Sequence, residues 1–183
     1  MTREGRSSSP LLGAAAGALG GLLGSWAMIR FNHLVGGIRD NQRRQPEHRR
    51  EASPNEHDGT ISDEPASMQI ATLAAEPIAG RPLTDGEKAA GSAFFHYGFG
   101  AIAGALYGAA AEVRPEATKA AGMPFGAAVW IVADEAALPL TGLAASPADY
   151  PPARHASALG SHLVYGLTVE AVRRAIRGVR PAA

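Results

Sequence analysis

The chain contains no cysteine. Disulfides, thiolate zinc sites, iron–sulfur clusters and cysteine nucleophiles are therefore excluded. Aromatic residues are scarce, at 6% beside 22 glycines in 183 residues, so the apolar stretches are built mainly from small side chains. Such side chains bury little area but let backbones approach closely. Neither sign of charge is in excess, since 17 Lys and Arg balance 17 Asp and Glu, and this gives no electrostatic case for a nucleic-acid partner. The Arg-rich run stands beside an apolar segment, where phospholipid headgroups are the nearer anion. Also missing are a Gly-rich phosphate loop, a nucleophile elbow and any Glu-x-x-His or His-x-x-x-His pair. These absences argue against an enzyme, and the sequence assigns no catalytic residue, cofactor or metal.

What is present is a sharp segregation of apolar Gly/Ala-rich blocks from one polar block. The mean hydropathy of −0.05 averages the two and describes neither. His96, Gly100, Gly104, Gly108 and Glu112 recur at four-residue steps, and no charged residue stands between Lys88 and Glu112. On a helix each such step turns about 40°, so the five positions form one slowly winding stripe roughly 24 Å long. Gly13, Gly17 and Gly21 repeat the same spacing in the uncharged stretch from Pro10 to Ile29. Both sets read as flat tracks for helix packing, within the chain, in a homo-oligomer or against a membrane partner.

The predicted organisation is all-α, a polytopic membrane helix bundle of about four transmembrane helices. After a short basic tail (1–9), the stretch 10–29 suits a bilayer span. A signal peptide is the competing reading, but no A-x-A-like site follows, and Trp26 stands ahead of Arg30 like an interfacial anchor. Residues 30–84 turn polar and read as a largely flexible loop, with a short amphipathic helix at 65–76 using Met68, Ile70 and Leu73 and stopped by Pro77 and Gly80. Thr84 followed by Glu87 is a capping box, placing a helix from about Asp85 to Val113, where Arg114-Pro115 ends it. A third helix begins near Lys119 and either spans with a kink at Pro139 or stops near Leu138. The fourth runs from about His155 through Glu170 to Arg177, leaving 178–183 as a tail. An even number of crossings puts both termini on one side, which we take as cytoplasmic, although Lys and Arg are nearly balanced between the two sides.

Acids and histidines within these apolar helices are the residues that can carry chemistry. An acid at mid-bilayer costs on the order of 2.5–3.5 kcal/mol on insertion scales, which makes it a functional candidate by default. Glu112 and Glu170 fall at helix ends, and Arg173 and Arg174 lie three and four residues beyond Glu170, so these four read as interfacial ion pairs. Asp134 and Glu135 interrupt an apolar run. Neighbours on an α-helix differ by about 100°, so only one of them is expected to face the bundle squarely. That acid, with His96 or His162, makes either a polar helix-to-helix contact or a proton relay.

The order of residues also resembles a known family. His96 opens one span and Tyr107-Gly108 with Ala111-Glu112 closes it. Leu138-Pro139 and Gly142-Leu143 follow the next, and His162-Leu163-Val164, Glu170 and Arg173-Arg174 mark the last. From Ala89 to Arg177 the chain is similar to the YagU-like family of bacterial inner-membrane proteins, a domain family of unknown function. The resemblance implies a multi-pass protein of the bacterial inner membrane, with the lipid bilayer as its partner, and it implies no catalytic residue or ligand. Two functions stand beside one another. One is a structural or partner-binding membrane protein. The other is a small proton-coupled transporter or oligomeric channel using His96, Asp134, Glu135 and His162.

Overall fold

The computed structural model describes residues 9–43 and 66–178, with the side chains of 37–43 left aside. Among the described residues every regular element is helical: α1 (Pro10–Arg43), α2 (Ala66–Ala79), α3 (Asp85–Val113), a 3₁₀ segment (Pro115–Gly122), α4 (Met123–Trp130), a π turn (Ile131–Ala137), α5 (Leu138–Leu140), a short 3₁₀ turn (Pro147–Asp149) and α6 (Pro152–Arg177). The tail before Ser9, the middle of the expected loop (44–65) and the chain after Gly178 lie outside the described residues.

Local chemistry accounts for the boundaries. The box at the start of α3 is complete: the Glu87 amide donates to Thr84 Oγ1 at 3.3 Å, and the Thr84 amide donates to Glu87 Oε2 at 2.9 Å. α1 continues well past the expected end at Ile29, because the end of an apolar run is not a helix stop and no proline intervenes before Arg43. α2 runs through Pro77 and ends only where Gly80 turns left-handed at φ 65°. It rests on α3 through Ala71, which meets Gly91, and through the Ser67 and Ser92 hydroxyls 2.6 Å apart. The expected Leu73 is instead 67% exposed.

The expected third helix does not begin at Lys119. Ala120, Ala121 and Gly122 take left-handed conformations in succession (φ 50°, 53° and 83°), and a new helix starts at Met123. From there the chain stays helical to Leu140, but seven residues wind as a π-helix. Pro139 lies just beyond that turn. Its ring crowds the carbonyl four residues back, at Glu135, and the wider winding there relieves the clash.

Glycine sets how these helices cross. Gly13, Gly17 and Gly21 of α1 lie against Gly108, Gly104 and Gly100 of α3, so the two helices are antiparallel, and a Cβ on Gly17 would collide with the Gly104 carbonyl. α1 meets α6 through Gly20 on Val169 and Gly24 on Tyr165, while Gly126 of α4 lies on the His162 carbonyl. The start of α1 and the end of α6 therefore lie at the same end of the bundle. Between the two ends is a small aromatic layer: Tyr107 stacks on Phe125 with ring centroids 4.4 Å apart, Phe125 meets Tyr165 at 5.8 Å, and Val169 is fully buried beside them.

The interior holds glycines, Ser25, Ser161, His162, Glu170 and Arg173, whereas Leu19, Leu22, Leu23, Ile102, Leu106, Ile131 and Val132 face outward. Two helical runs, Pro10–Gly36 and Pro115–Leu140, are long and apolar enough to cross a membrane.

Candidate functional site

The aromatic layer separates two polar regions. At the end holding both chain ends, Glu170 is 1% exposed and Arg173 3% exposed. Arg173 donates through Nε to Glu170 Oε2 at 2.7 Å and through NH2 to Oε1 at 2.9 Å, and the Tyr107 hydroxyl donates to Oε2 at 3.0 Å. Arg174 adds a third guanidinium contact to Glu170 and ties down the Thr118 carbonyl at 3.1 Å. Arg177 grips Glu112 with two hydrogen bonds of 2.9 and 2.8 Å, while Arg173 lies 3.5 Å from the same carboxylate. Each carboxylate thus has charged donors on both oxygens or within ion-pair range. This saturated network clamps α3, the 3₁₀ segment and α6, and it leaves no carboxylate free for a ligand. The sequence places Arg173 and Arg174 beside Glu170; the long-range grip of Arg177 on Glu112 carries no local signal.

On the other side of the aromatic layer lies a cavity of about 740 Å³. His96, Asp134, Glu135 and His162 all line it, together with His155. Both neighbouring acids therefore reach the same space, contrary to the expectation that only one would. The π turn that carries them narrows the angle between neighbours only modestly, and the cavity is wide enough for both to line it.

The two acids are engaged differently. His155 donates through Nδ1 to Glu135 Oε1 at 2.8 Å and through Nε2 to the Pro147 carbonyl at 3.0 Å. Both ring nitrogens face oxygen acceptors, an arrangement that the imidazolium satisfies and the neutral ring does not. Glu135 and His155 thus form a closed pair. Asp134 is looser: His162 Nδ1 is 3.8 Å away, beyond hydrogen-bond range, and that nitrogen already donates to the Ala158 carbonyl at 2.9 Å. With Nδ1 carrying the proton, Nε2 is the free nitrogen of a neutral His162. His96 points Nε2 at the Ser25 carbonyl, at 3.4 Å.

The remaining wall is apolar and aromatic, with Phe95, Phe99, Val129 and Leu138. The Tyr165 hydroxyl, also on the wall, donates to the Gly100 carbonyl at 2.6 Å. Arg154 is drawn onto the Tyr150 ring, with its guanidinium carbon 3.6 Å from the centroid. Among the described residues no group of three His, Cys, Asp or Glu side chains is placed to hold a metal ion. The sequence singles out four of these residues, whereas the pairing of His155 with Glu135 carries no local signal beyond the seven-residue spacing that puts His155 and His162 on nearly one helix face.

Fold and cavity define a small helical bundle with a largely apolar pocket that also holds Asp134, Glu135 and three histidines. Residues 79–171 match the family described as "Protein of unknown function (DUF1440)", and the chain belongs to that family. The matched region carries every acid and histidine discussed above but not α1, whose glycines meet those of α3. No curated protein and no solved structure matches the chain.

Proposed function

We propose that the protein is a multi-pass integral membrane protein with a proton-coupled site in the cavity beside Asp134. Its four crossings are α1, α3, the helical run from Met123 to Leu140 and α6. The observation that carries this reading is the convergence of His96, Asp134, Glu135, His155 and His162 on one cavity inside a bundle whose outer surface is apolar. Apolar surface of that extent is an aggregation liability in water and ordinary in lipid. The resemblance to YagU-like proteins favours a bacterial inner membrane. Arg173, Arg174 and Arg177 at the end holding both chain ends favour cytoplasmic termini.

In this reading Asp134 takes and releases the proton, and His162 and His96 tune and relay it. The packed layer of Tyr107, Phe125, Tyr165 and Val169 between the cavity and the ion network favours a carrier over an open pore. The test is proton flux into proteoliposomes carrying a trapped pH-sensitive dye. Wild-type protein dissipates a pH gradient, and Asp134→Asn or His162→Ala abolishes the flux while the protein stays folded. Vesicles as tight as protein-free ones contradict the reading.

The structural or partner-binding role rests on a different observation, the fully saturated network of Glu112, Glu170, Arg173, Arg174 and Arg177. The Gly-x-x-x-Gly faces of α1 and α3 meet each other, so a second subunit would dock on outward leucines and phenylalanines instead. Impermeable wild-type vesicles together with failed assembly of the variants favour this role.

A further inference from the structure

The cavity is far larger than a proton requires, and its shape and chemistry define a ligand class. Pockets of roughly 300–1,000 Å³ with mostly apolar and aromatic walls and a few convergent polar groups suit drug-sized organic molecules. At about 740 Å³ this cavity falls in that range. Phe95 and Phe99 stack with centroids 6.2 Å apart on one side, and Val129 and Leu138 line another.

The charges facing this space select a sign. Glu135 is paired with His155, and the Arg154 guanidinium, which keeps its charge, lies on the Tyr150 ring. Asp134 alone keeps a carboxylate with no donor within hydrogen-bond range among the described residues; its nearest partner is His162 Nδ1 at 3.8 Å, and its side chain is 35% exposed. A carboxylate without a hydrogen-bond donor, in a cavity that aromatic rings also line, offers an organic cation both ion pairing and cation–π contact.

We infer that the cavity binds lipophilic organic monocations, an ammonium or other onium centre on an apolar body, with Asp134 as the counter-charge and Phe95 and Phe99 as the aromatic wall. This inference rests on the proton-coupled reading of the same site and names its substrate class. Cation and proton then compete for one carboxylate, which is the elementary requirement for exchanging one against the other. The groups facing Asp134 are His162 and Arg154 from α6, His96 from α3 and Glu135 from its own turn; α1 and α2 bring no titratable side chain to the wall.

The test is equilibrium binding of radiolabelled tetraphenylphosphonium to the full-length protein in detergent, with tetraphenylborate as a probe of the same shape and opposite charge. Saturable phosphonium binding is expected at alkaline pH, with no saturable borate binding. Affinity falls by at least about tenfold in Asp134→Asn, is partly restored in Asp134→Glu, and falls about tenfold per pH unit once Asp134 protonates. The pH dependence of the wild-type protein decides the matter even if the Asn variant does not fold. Absence of saturable phosphonium binding, equal affinity for the borate, or binding independent of both pH and Asp134 overturns the inference. Proton flux that depends on Asp134 without phosphonium binding overturns the cation site alone, whereas loss of both overturns the proton-coupled reading as well.

Discussion

Gly17 of α1 and Gly104 of α3 meet backbone to backbone, each leaving no room for a Cβ on the other. Contact this close replaces the large interlocking side chains of a water-soluble core, and it frees leucine and isoleucine to face outward. One face of α3 therefore gives a paired prediction. Gly104→Ala must push α1 away and is expected to destabilise by about 1–3 kcal/mol, as overpacking does. Gly98→Ala on the same helix meets nothing within 4 Å and is expected to stabilise by about 0.5–1 kcal/mol through helix propensity. Thermal melting of the two variants in one detergent checks the opposite signs.

Removing one member of the buried ion network is expected to be severe. Glu170→Ala leaves Arg173, 3% exposed, without its principal partner, and breaking a buried pair costs about 3–5 kcal/mol. Arg174→Ala removes a contact from a partly exposed side chain and is expected to cost less. Melting temperatures or unfolding yields in mixed micelles rank the two, and equal losses contradict the assignment.

The start of α3 carries a pH dependence of definite sign. Arg81 donates to both Glu87 oxygens, and with the Thr84 amide and hydroxyl it holds the Glu87 carboxyl down at about 2, from an ordinary 4.5. Because the folded value is lowered, the contribution is fully present above pH 4.5 and is lost as pH falls from there towards about 2. Amide protection factors at 84–88, corrected for the intrinsic exchange rate at each pH, should fall across that window in wild-type protein, and Glu87→Gln should remove the dependence.

The left-handed run before α4 offers a stabilising change. Ala121 sits at φ 53°, where an L-residue with a Cβ is strained by roughly 1–2 kcal/mol. Ala121→Gly relieves that strain against a somewhat larger chain-entropy loss, and a modest rise in melting temperature is expected.

Sequence made the local devices legible and left the long-range ones hidden. The Thr84–Glu87 box and the Arg114-Pro115 stop mark the observed ends of α3, because both act within one helical turn. The two glycine stripes announce close packing, but nothing in their spacing says that Gly13 meets Gly108 rather than a second subunit. α1 extends to Arg43 because polar residues continue a helix that hydropathy alone would end. No local signal announces the π turn, so the 100° step of an α-helix lets only one of Asp134 and Glu135 be expected to face the bundle squarely. Pairings across 20 or 65 residues, His155 with Glu135 and Arg177 with Glu112, depend on tertiary placement that no periodicity encodes.

Lipid around the outward leucines and isoleucines is the claim on which the rest stands, and a chain without cysteine allows a clean measurement of it. Single substitutions Leu22→Cys and Ile131→Cys place a thiol on the outer face of each apolar run, and Glu116→Cys places one on the exposed turn between α3 and α4. Membranes opened to expose both faces are treated with a membrane-impermeant maleimide, before and after detergent. Thiols at 22 and 131 that stay unlabelled until detergent is added, beside a promptly labelled 116, are the predicted result; labelling at 22 and 131 as fast as at 116 contradicts it.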